Sequence, residues 1–167
     1  MSFTTAANIV TNVMPNVDSS LILANDIAAA EWLYIRGGLI LTYPTSGADM
    51  YDTIAAAPAS YATLVGYFAK ALEYFTAFTI FERLGSKIET RGIFDLNAET
   101  ASKTGGDTKG QVKAELLRQG NTYFSQAIYY INENLADTYS DVPTGRDWDW
   151  NMTATYDTGT AKRQNNI

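Results

Sequence analysis

The sequence predicts a mainly α-helical fold, a bundle of three to four helices with a small β-hairpin element and extended N- and C-terminal arms. Three segments carry apolar residues at alternating spacings of three and four, the period of one helix face. Hydrophobic residues make up 46% of the 167 residues and charged residues 18%, which is typical of a globular domain with one core. We divide the chain into an N-terminal arm (1–17), a helical domain (18–142) and a C-terminal tail (143–167).

The first helix is expected to begin at Asp18, because a short side-chain oxygen there can accept the free amide protons of a first turn. We expect Gly37 and Gly38 to end it, since glycine takes the left-handed conformation of a helix end without steric cost. The polar, small residues before it, broken by Pro15, predict an extended arm. The predicted core stripe of this helix is Leu23, Ile27, Ala30 and Tyr34.

The central helix has the strongest apolar pattern and should be the most buried. A short helix over residues 48–57 is expected before it, stopped by Pro58. Ser60 then provides the next N-cap, and the helix is predicted to close near Gly85. Its stripe is Leu64, Phe68, Ala71, Phe75 and Phe78.

Residues 87–96 alternate polar and apolar side chains only in part, which predicts one or two short strands, arranged as a hairpin. Residues 97–107, rich in Ser, Thr, Gly and Asn, predict a loop. Asp107 or Thr108 can cap a last long helix that extends to Asp137. Its period is carried by Val112, Leu116, Gly120, Phe124, Ile128, Ile131 and Leu135.

The composition argues against catalysis, metal binding and tight binding of nucleic acid. The chain has no histidine and no cysteine, so it lacks the commonest general base, the commonest transition-metal ligand and any thiol. Its net charge of −6 disfavours binding to the phosphates of nucleic acid. We therefore predict no catalytic, metal or cofactor site. With no positively charged leader and no window of ~20 apolar residues, we expect a soluble protein made in a cytoplasm.

Two motifs fail at specific positions. Residues 105–110 (GGDTKG) suggest a phosphate loop, but glycine follows Lys109 where Ser or Thr is needed. Residues 147–151 (DWDWN) open like a calcium loop, but Met152 stands where glycine is required and Thr158 where the bidentate Glu is required. A flexible loop and an irregular tail are therefore the better interpretations.

Three carboxylates on the predicted helices, Glu31, Glu73 and Glu82, could in principle perform acid–base chemistry without histidine. Such residues more often form a solvated face or pair with a nearby Arg or Lys. Sequence spacing alone does not bring the three together, so a solvated face or ion pairs are the better interpretation.

Four segments and the proline that follows them carry a resemblance to a known family. They are residues 26–35 (DIAAAEWLYI), the aromatic stretch 61–84, residues 91–93 (RGI) and residues 126–134 (QAIYYINEN), ahead of Pro143. In this order they resemble the opening helix, central helix, short strand and final helix of the head–tail connector (adaptor) proteins of tailed bacteriophages. The resemblance covers about residues 20–143, and the tail departs from it.

The resemblance implies a viral structural protein that forms a homo-oligomeric ring of about twelve copies in the neck of the virion. The portal protein would lie above it and a stopper or tail protein below, with DNA passing through the channel without specific binding. Assembly would take place in the host cytoplasm, with no membrane involved. Two alternatives stay open: another neck ring such as a tail terminator, or a soluble helical enzyme or ligand-binding domain with a pocket under the aromatic helix.

The partner-binding candidates lie mostly in the tail and in the hairpin element. Trp148 and Trp150 are candidate anchors, because tryptophan buries a large area at a low cost in rotamer entropy. The tail could order on a neighbouring subunit or portal, or fold back on its own domain. The hairpin could recruit a partner through its edge or pack on its own helices. The full set of candidates is Trp148, Trp150, Tyr156, Ile88, Ile93, Phe94 and Phe3.

Overall fold

The computed structural model describes residues 2–88 and 107–143, and this part of the chain is helical, which confirms the mainly α class. A π-helical segment, Glu31–Arg36, joins two α-helices without a break, so residues 24–42 form one continuous rod. Short 3₁₀ turns lie at Ser19–Leu21 and Pro58–Tyr61. The helices are α1 (Ala6–Asn12), α2 (Ala24–Ala30), α3 (Gly37–Thr42), α4 (Gly47–Ala56), α5 (Ala62–Ile88) and α6 (Asp107–Asn134).

Three long elements form the bundle: the rod of residues 24–42, α5 and α6. The rings of Phe68 and Phe124 lie 6.2 Å apart and those of Tyr74 and Tyr123 lie 5.8 Å apart, so α5 and α6 run antiparallel. The rod is also antiparallel to α5, because its Asp26 pairs with Arg83 and its Tyr34 stacks on Phe75, and it therefore runs in the same direction as α6. None of the helices in residues 2–88 and 107–143 combines the length and the apolar character that crossing a membrane requires.

The centre of the bundle is an aromatic ring held between two helices. Phe75 of α5 is 1% exposed and stacks on Tyr34 of the rod, with centroids 4.4 Å apart and ring planes 14° apart. On α6, Gly120 lies so close to Phe75 that a Cβ atom there would lie 2.6 Å from the ring. Gly38 of the rod is similarly close to Phe124 of α6. These two glycines let aromatic rings fill the space between backbones.

The prediction that Gly37 and Gly38 end the first helix was wrong. Gly37 has φ −62° and ψ −40°, which are helical values, and the helix continues to Thr42. Gly38 allows the rod to pack closely against Phe124, and it does not reverse the chain. The predicted start was also early, because Asp18 caps only a 3₁₀ turn, and the helix begins at residue 24.

The extended N-terminal arm predicted over residues 1–17 is corrected for residues 2–17. Thr5 accepts a hydrogen bond from the amide of Asn8 (3.3 Å) and so begins α1, a cap that the sequence analysis overlooked. The apolar side chains of Ile9, Met14 and Val17 are buried in the core. Their burial is what holds the segment to the domain.

A buried carboxylate also fastens α1 to the bundle. Glu73 of α5 is 2% exposed and accepts hydrogen bonds from Thr4 (3.3 Å), Asn12 (3.0 Å) and Lys70 (3.2 Å). A buried charge is tolerated only when it is paired and hydrogen-bonded, and these three donors meet that condition. Glu73 is therefore a structural residue in this fold.

The hairpin predicted over residues 87–96 is corrected at its start. Lys87 and Ile88 are helical, because α5 passes through Gly85, and Leu84 and Ile88 keep the spacing of four that a helix face requires. Residues 89–106 lie outside the described part, and residues 2–88 and 107–143 contain no strand.

The short helix predicted over 48–57 is confirmed as α4, whereas α6 ends three residues earlier than predicted.

Replacing Gly120 with Ala should lower the free energy of unfolding by up to about 2 kcal/mol. Overpacking against Phe75 costs about 1–3 kcal/mol, offset by a gain of about 0.8–1 kcal/mol in helix propensity. Gly110 on the same helix is the matched control, because nothing lies within 4 Å of a Cβ atom there. Gly110→Ala should raise stability in urea unfolding. Equal shifts in both variants would contradict the close packing.

Replacing Glu73 with Ala should lower the free energy of unfolding by about 1–3 kcal/mol, because the buried hydroxyl of Thr4 and the amide of Asn12 lose their acceptor. Hydrogen exchange of the α1 amides should accelerate in the same variant, because α1 would be held less firmly on the bundle. Glu115, an exposed carboxylate that pairs with Arg118, is the control, and Glu115→Ala should leave both readouts nearly unchanged. Unchanged exchange in α1 after Glu73→Ala would contradict the proposed fastening.

Candidate functional site: an apolar groove

The π-helical segment Glu31–Arg36 places apolar side chains in solvent on one side and buries others on the opposite side. Trp32 is 64% exposed and Leu33 is 61% exposed, whereas Glu31 and Ile35 are buried. Wide π turns are rare and occur frequently at functional sites. Large exposed side chains of this kind, next to one another, are the features of an interaction surface.

A polar arrangement beneath Trp32 fixes this segment. The Tyr51 hydroxyl of α4 donates a hydrogen bond to Glu31 (2.9 Å), so the buried carboxylate has a partner. Burial, followed by the charge of Glu31, raises the pKa of Tyr51 above its ordinary value, which keeps the hydroxyl a donor. Arg36 lies over the Trp32 ring at 4.3 Å and within 3.9 Å of Asp52. The indole is therefore oriented by a cation although its outer face meets solvent.

An open groove of about 1130 Å³ runs between the rod and α6. Its base is formed by the rings of Phe75 and Phe124. The ring of Phe75 packs against Gly120 and that of Phe124 packs against Gly38. Its apolar edge side chains are strongly exposed: Leu41 is 83% exposed, and Leu33 and Tyr129 are at least half exposed. We call this the apolar groove. Its lining residues are Leu33, Tyr34, Gly38, Leu41, Thr42, Tyr67, Phe75, Arg118, Asn121, Thr122, Phe124, Ser125, Gln126, Tyr129, Tyr130 and Asn134.

The two sides of the apolar groove differ in chemistry. The rod supplies mainly hydrocarbon, with Leu33 and Leu41. Helix α6 supplies amide and hydroxyl groups, such as those of Asn121, Thr122 and Ser125, along the other side, together with the exposed ring of Tyr129. The apolar groove can therefore hold a segment with one apolar and one polar face, such as a peptide with aromatic side chains.

One end of the apolar groove is fixed to the last described residues of the chain. The Asp141 carboxylate accepts hydrogen bonds from the amides of Thr45 (2.9 Å) and Ser46 (3.0 Å) and from the Ser46 hydroxyl. These donors, the hydroxyl foremost, hold the pKa of Asp141 below 3.8. Nearby, the buried Tyr43 hydroxyl donates to Asn132 (2.6 Å), which ties the end of α3 to α6.

The sequence-predicted contact residues fall in different places. Phe3 packs within its own chain, with its ring 5.6 Å from Phe68 and 5.9 Å from Tyr51, and its role in an assembly stays a prediction. Ile88 is the last residue of α5. The other candidates lie outside the described residues, and they are Trp148, Trp150, Tyr156, Ile93 and Phe94.

The three candidate carboxylates do not form one site where they are described. Glu31 bonds to Tyr51 and Glu73 bonds to the N-terminal segment, each within its own network. The side chain of Glu82 lies outside the described part. No group of three or more His, Cys, Asp or Glu residues that could hold a metal ion occurs among residues 2–88 and 107–143.

Sequence reasoning missed the apolar groove because it ended the first helix at Gly37. If the helix is continued through this glycine, Leu33 and Leu41 lie about two turns apart on a helix that has already filled its core positions. That surplus of leucine was the available signal.

Comparison of the chain with models of protein families, with curated proteins and with solved structures found no match in any of the three.

Replacing Asp141 with Asn should flatten the pH dependence of stability below about pH 4. Because folding lowers the pKa of this carboxyl, its contribution is present above the unfolded-state value of 3.8 and is lost as the pH falls through the folded-state value. Urea unfolding at a series of pH values between about 6 and about 2 measures this difference. Parallel profiles for the two proteins would show that the Asp141 contacts are not formed.

Proposed function

We propose that this protein is a structural subunit of a tailed bacteriophage, a head–tail connector (adaptor) that forms a ring of about a dozen copies between portal and tail. Two features of the chain support the proposal. One is the order of segments over about residues 20–143, which resembles that family. The other is the exposed apolar surface on the rod, which carries side chains suited to contacts between polypeptides.

The single observation that carries the proposal is the exposure of Trp32 beside Leu33. Tryptophan is enriched among the residues that dominate binding energy at interfaces, and here its ring is oriented by Arg36 before any partner binds. An oriented side chain loses less entropy on binding than a free one. Trp32 is therefore the residue that we assign to contact with a neighbouring subunit or the portal.

The acidic character of the chain suits a subunit that lines a channel for DNA. With a net charge of −6, a ring of many copies presents a negative field to the phosphates of the passing genome. Repulsion prevents DNA from binding to the wall, and specific recognition is not required. In this proposal the ring lies in the virion neck, with the portal on one side and a stopper or tail protein on the other.

A second candidate function is favoured by the apolar groove itself. Its aromatic base and its volume are compatible with a small apolar ligand, which would make the chain a ligand-binding domain. A thermal-shift screen of small metabolites separates the two candidates. The melting temperature of a ligand-binding domain rises in the presence of one class of compound. A connector instead assembles with the portal protein. Another neck ring, such as a tail terminator, would assemble without the portal.

Replacing Trp32 with Ala should weaken assembly and leave the fold intact, because the side chain is mostly exposed. The measurement is light scattering during size-exclusion chromatography, on the protein alone and mixed with the portal protein of its phage. We expect at least a tenfold loss of apparent affinity, about 1.4 kcal/mol.

The matched control for this experiment is Thr53→Ala, an exposed position on α4 that makes no side-chain hydrogen bond in the described structure. It should assemble like the parent. A Trp32→Ala protein that melts normally and still forms full rings would overturn the assignment of this residue. A parent protein that never associates with itself, the portal or a tail component would overturn the proposed function.

A further inference from the structure

The apolar groove ends where the described chain leaves the domain. Leu41 lines the groove at the C-terminal end of α3, and Thr45, in the turn that follows this helix, donates a hydrogen bond from its amide to Asp141. Pro143, two residues after Asp141, is the last residue that the structure describes. Residues 144–167 therefore start beside one end of an exposed apolar surface.

The sequence of that segment matches the two-sided chemistry of the groove. Residues 147–151 alternate strictly as DWDWN. In an extended chain successive side chains point to opposite faces, so such a segment would carry both tryptophans on one face and its acidic and amide groups on the other. The apolar groove offers leucine side chains on the rod, aromatic rings at its base and at Tyr129 of α6, and amides and hydroxyls along the rest of α6.

The reach of the chain favours binding within one molecule. An extended chain spans at most ~3.3–3.6 Å per residue, which places Trp148 within about 17 Å of Pro143. The distance along the rod from Leu33 to Leu41 is about 12 Å at 1.5 Å per residue. Because the segment is tethered beside its own groove, its effective concentration there is high compared with that of a segment from a free neighbour.

We propose that residues 144–156 occupy the apolar groove of their own chain, with Trp148 and Trp150 covering Leu41 and Tyr129. This inference goes beyond the proposed function, since it concerns a single copy and its test requires neither ring nor portal. Trp32 does not line the groove, so it stays available to a partner when the groove is filled.

Tryptophan fluorescence of the full-length chain tests the proposal. The chain has three tryptophans, so the variant Trp32→Phe leaves only those of the tail to report. We expect an emission maximum at shorter wavelength, and weaker quenching by acrylamide, than a synthetic peptide of residues 144–167 shows. Emission and quenching equal to those of the free peptide would overturn the proposal.

Groove variants in the same background locate the binding site. Leu41→Asp should shift the emission to longer wavelength and increase quenching severalfold, and Tyr129→Ser should act in the same direction. Leu23→Asp is the matched control, because this leucine is also exposed, at 52%, but does not line the groove. Circular dichroism confirms that each variant is folded. Equal responses to Leu41→Asp and Leu23→Asp would place the tail elsewhere and overturn the proposal.

Cross-linking distinguishes a chain's own groove from that of a neighbour. Because the chain has no cysteine, Leu41→Cys combined with Asp149→Cys gives a protein with only these two thiols. A short bismaleimide should yield an internally linked monomer at low protein concentration, and Leu23→Cys with Asp149→Cys should yield much less. Linked dimers as the main product would show that the tail binds a second copy and would overturn the proposal.

Discussion

The packing of Phe75 between Tyr34 and Gly120 is the constraint on which the rest of the fold depends. The phenyl ring stacks on a tyrosine of the rod on one face, and its edge meets the bare backbone of α6 at a position where no Cβ fits. One side chain of α5 thereby sets the distance to both neighbouring helices. Because interiors pack at near-crystalline density, a ring in this position allows little adjustment of either helix.

The same use of glycine produces the apolar groove. Gly38 admits the Phe124 ring beneath the rod, so α6 packs there through an aromatic side chain and a glycine. The next side chain along the rod on this side, Leu41, is left with most of its surface in solvent. Close packing at the base and exposed leucine at the edge are two consequences of one arrangement, in which an unbroken helix passes through two glycines.

Polar contacts fix the two ends of the domain. Glu73 holds the N-terminal segment on α5 through Thr4 and Asn12, and Asp141 holds the chain exit on the turn that follows α3. Unlike apolar contacts, these bonds have defined directions, and a lost partner leaves a costly unpaired group. They therefore determine where residues 144–167 begin, which is the basis for the inference that those residues bind the groove.

The sequence by itself determined the helical class, the span of α4, the long central and final helices and most of their core stripes, because a period of 3.6 reflects burial of one face. It did not determine whether the helix ends at Gly37, whether the N-terminal residues pack on the core, or whether Leu41 is exposed. A glycine can end a helix, or it can lie within a helix and leave room for an aromatic ring. Which of the two occurs depends on whether an aromatic side chain from a distant segment, such as Phe124, packs against the glycine. Only the tertiary structure brings those segments together, and so only it decided where apolar surface remained exposed.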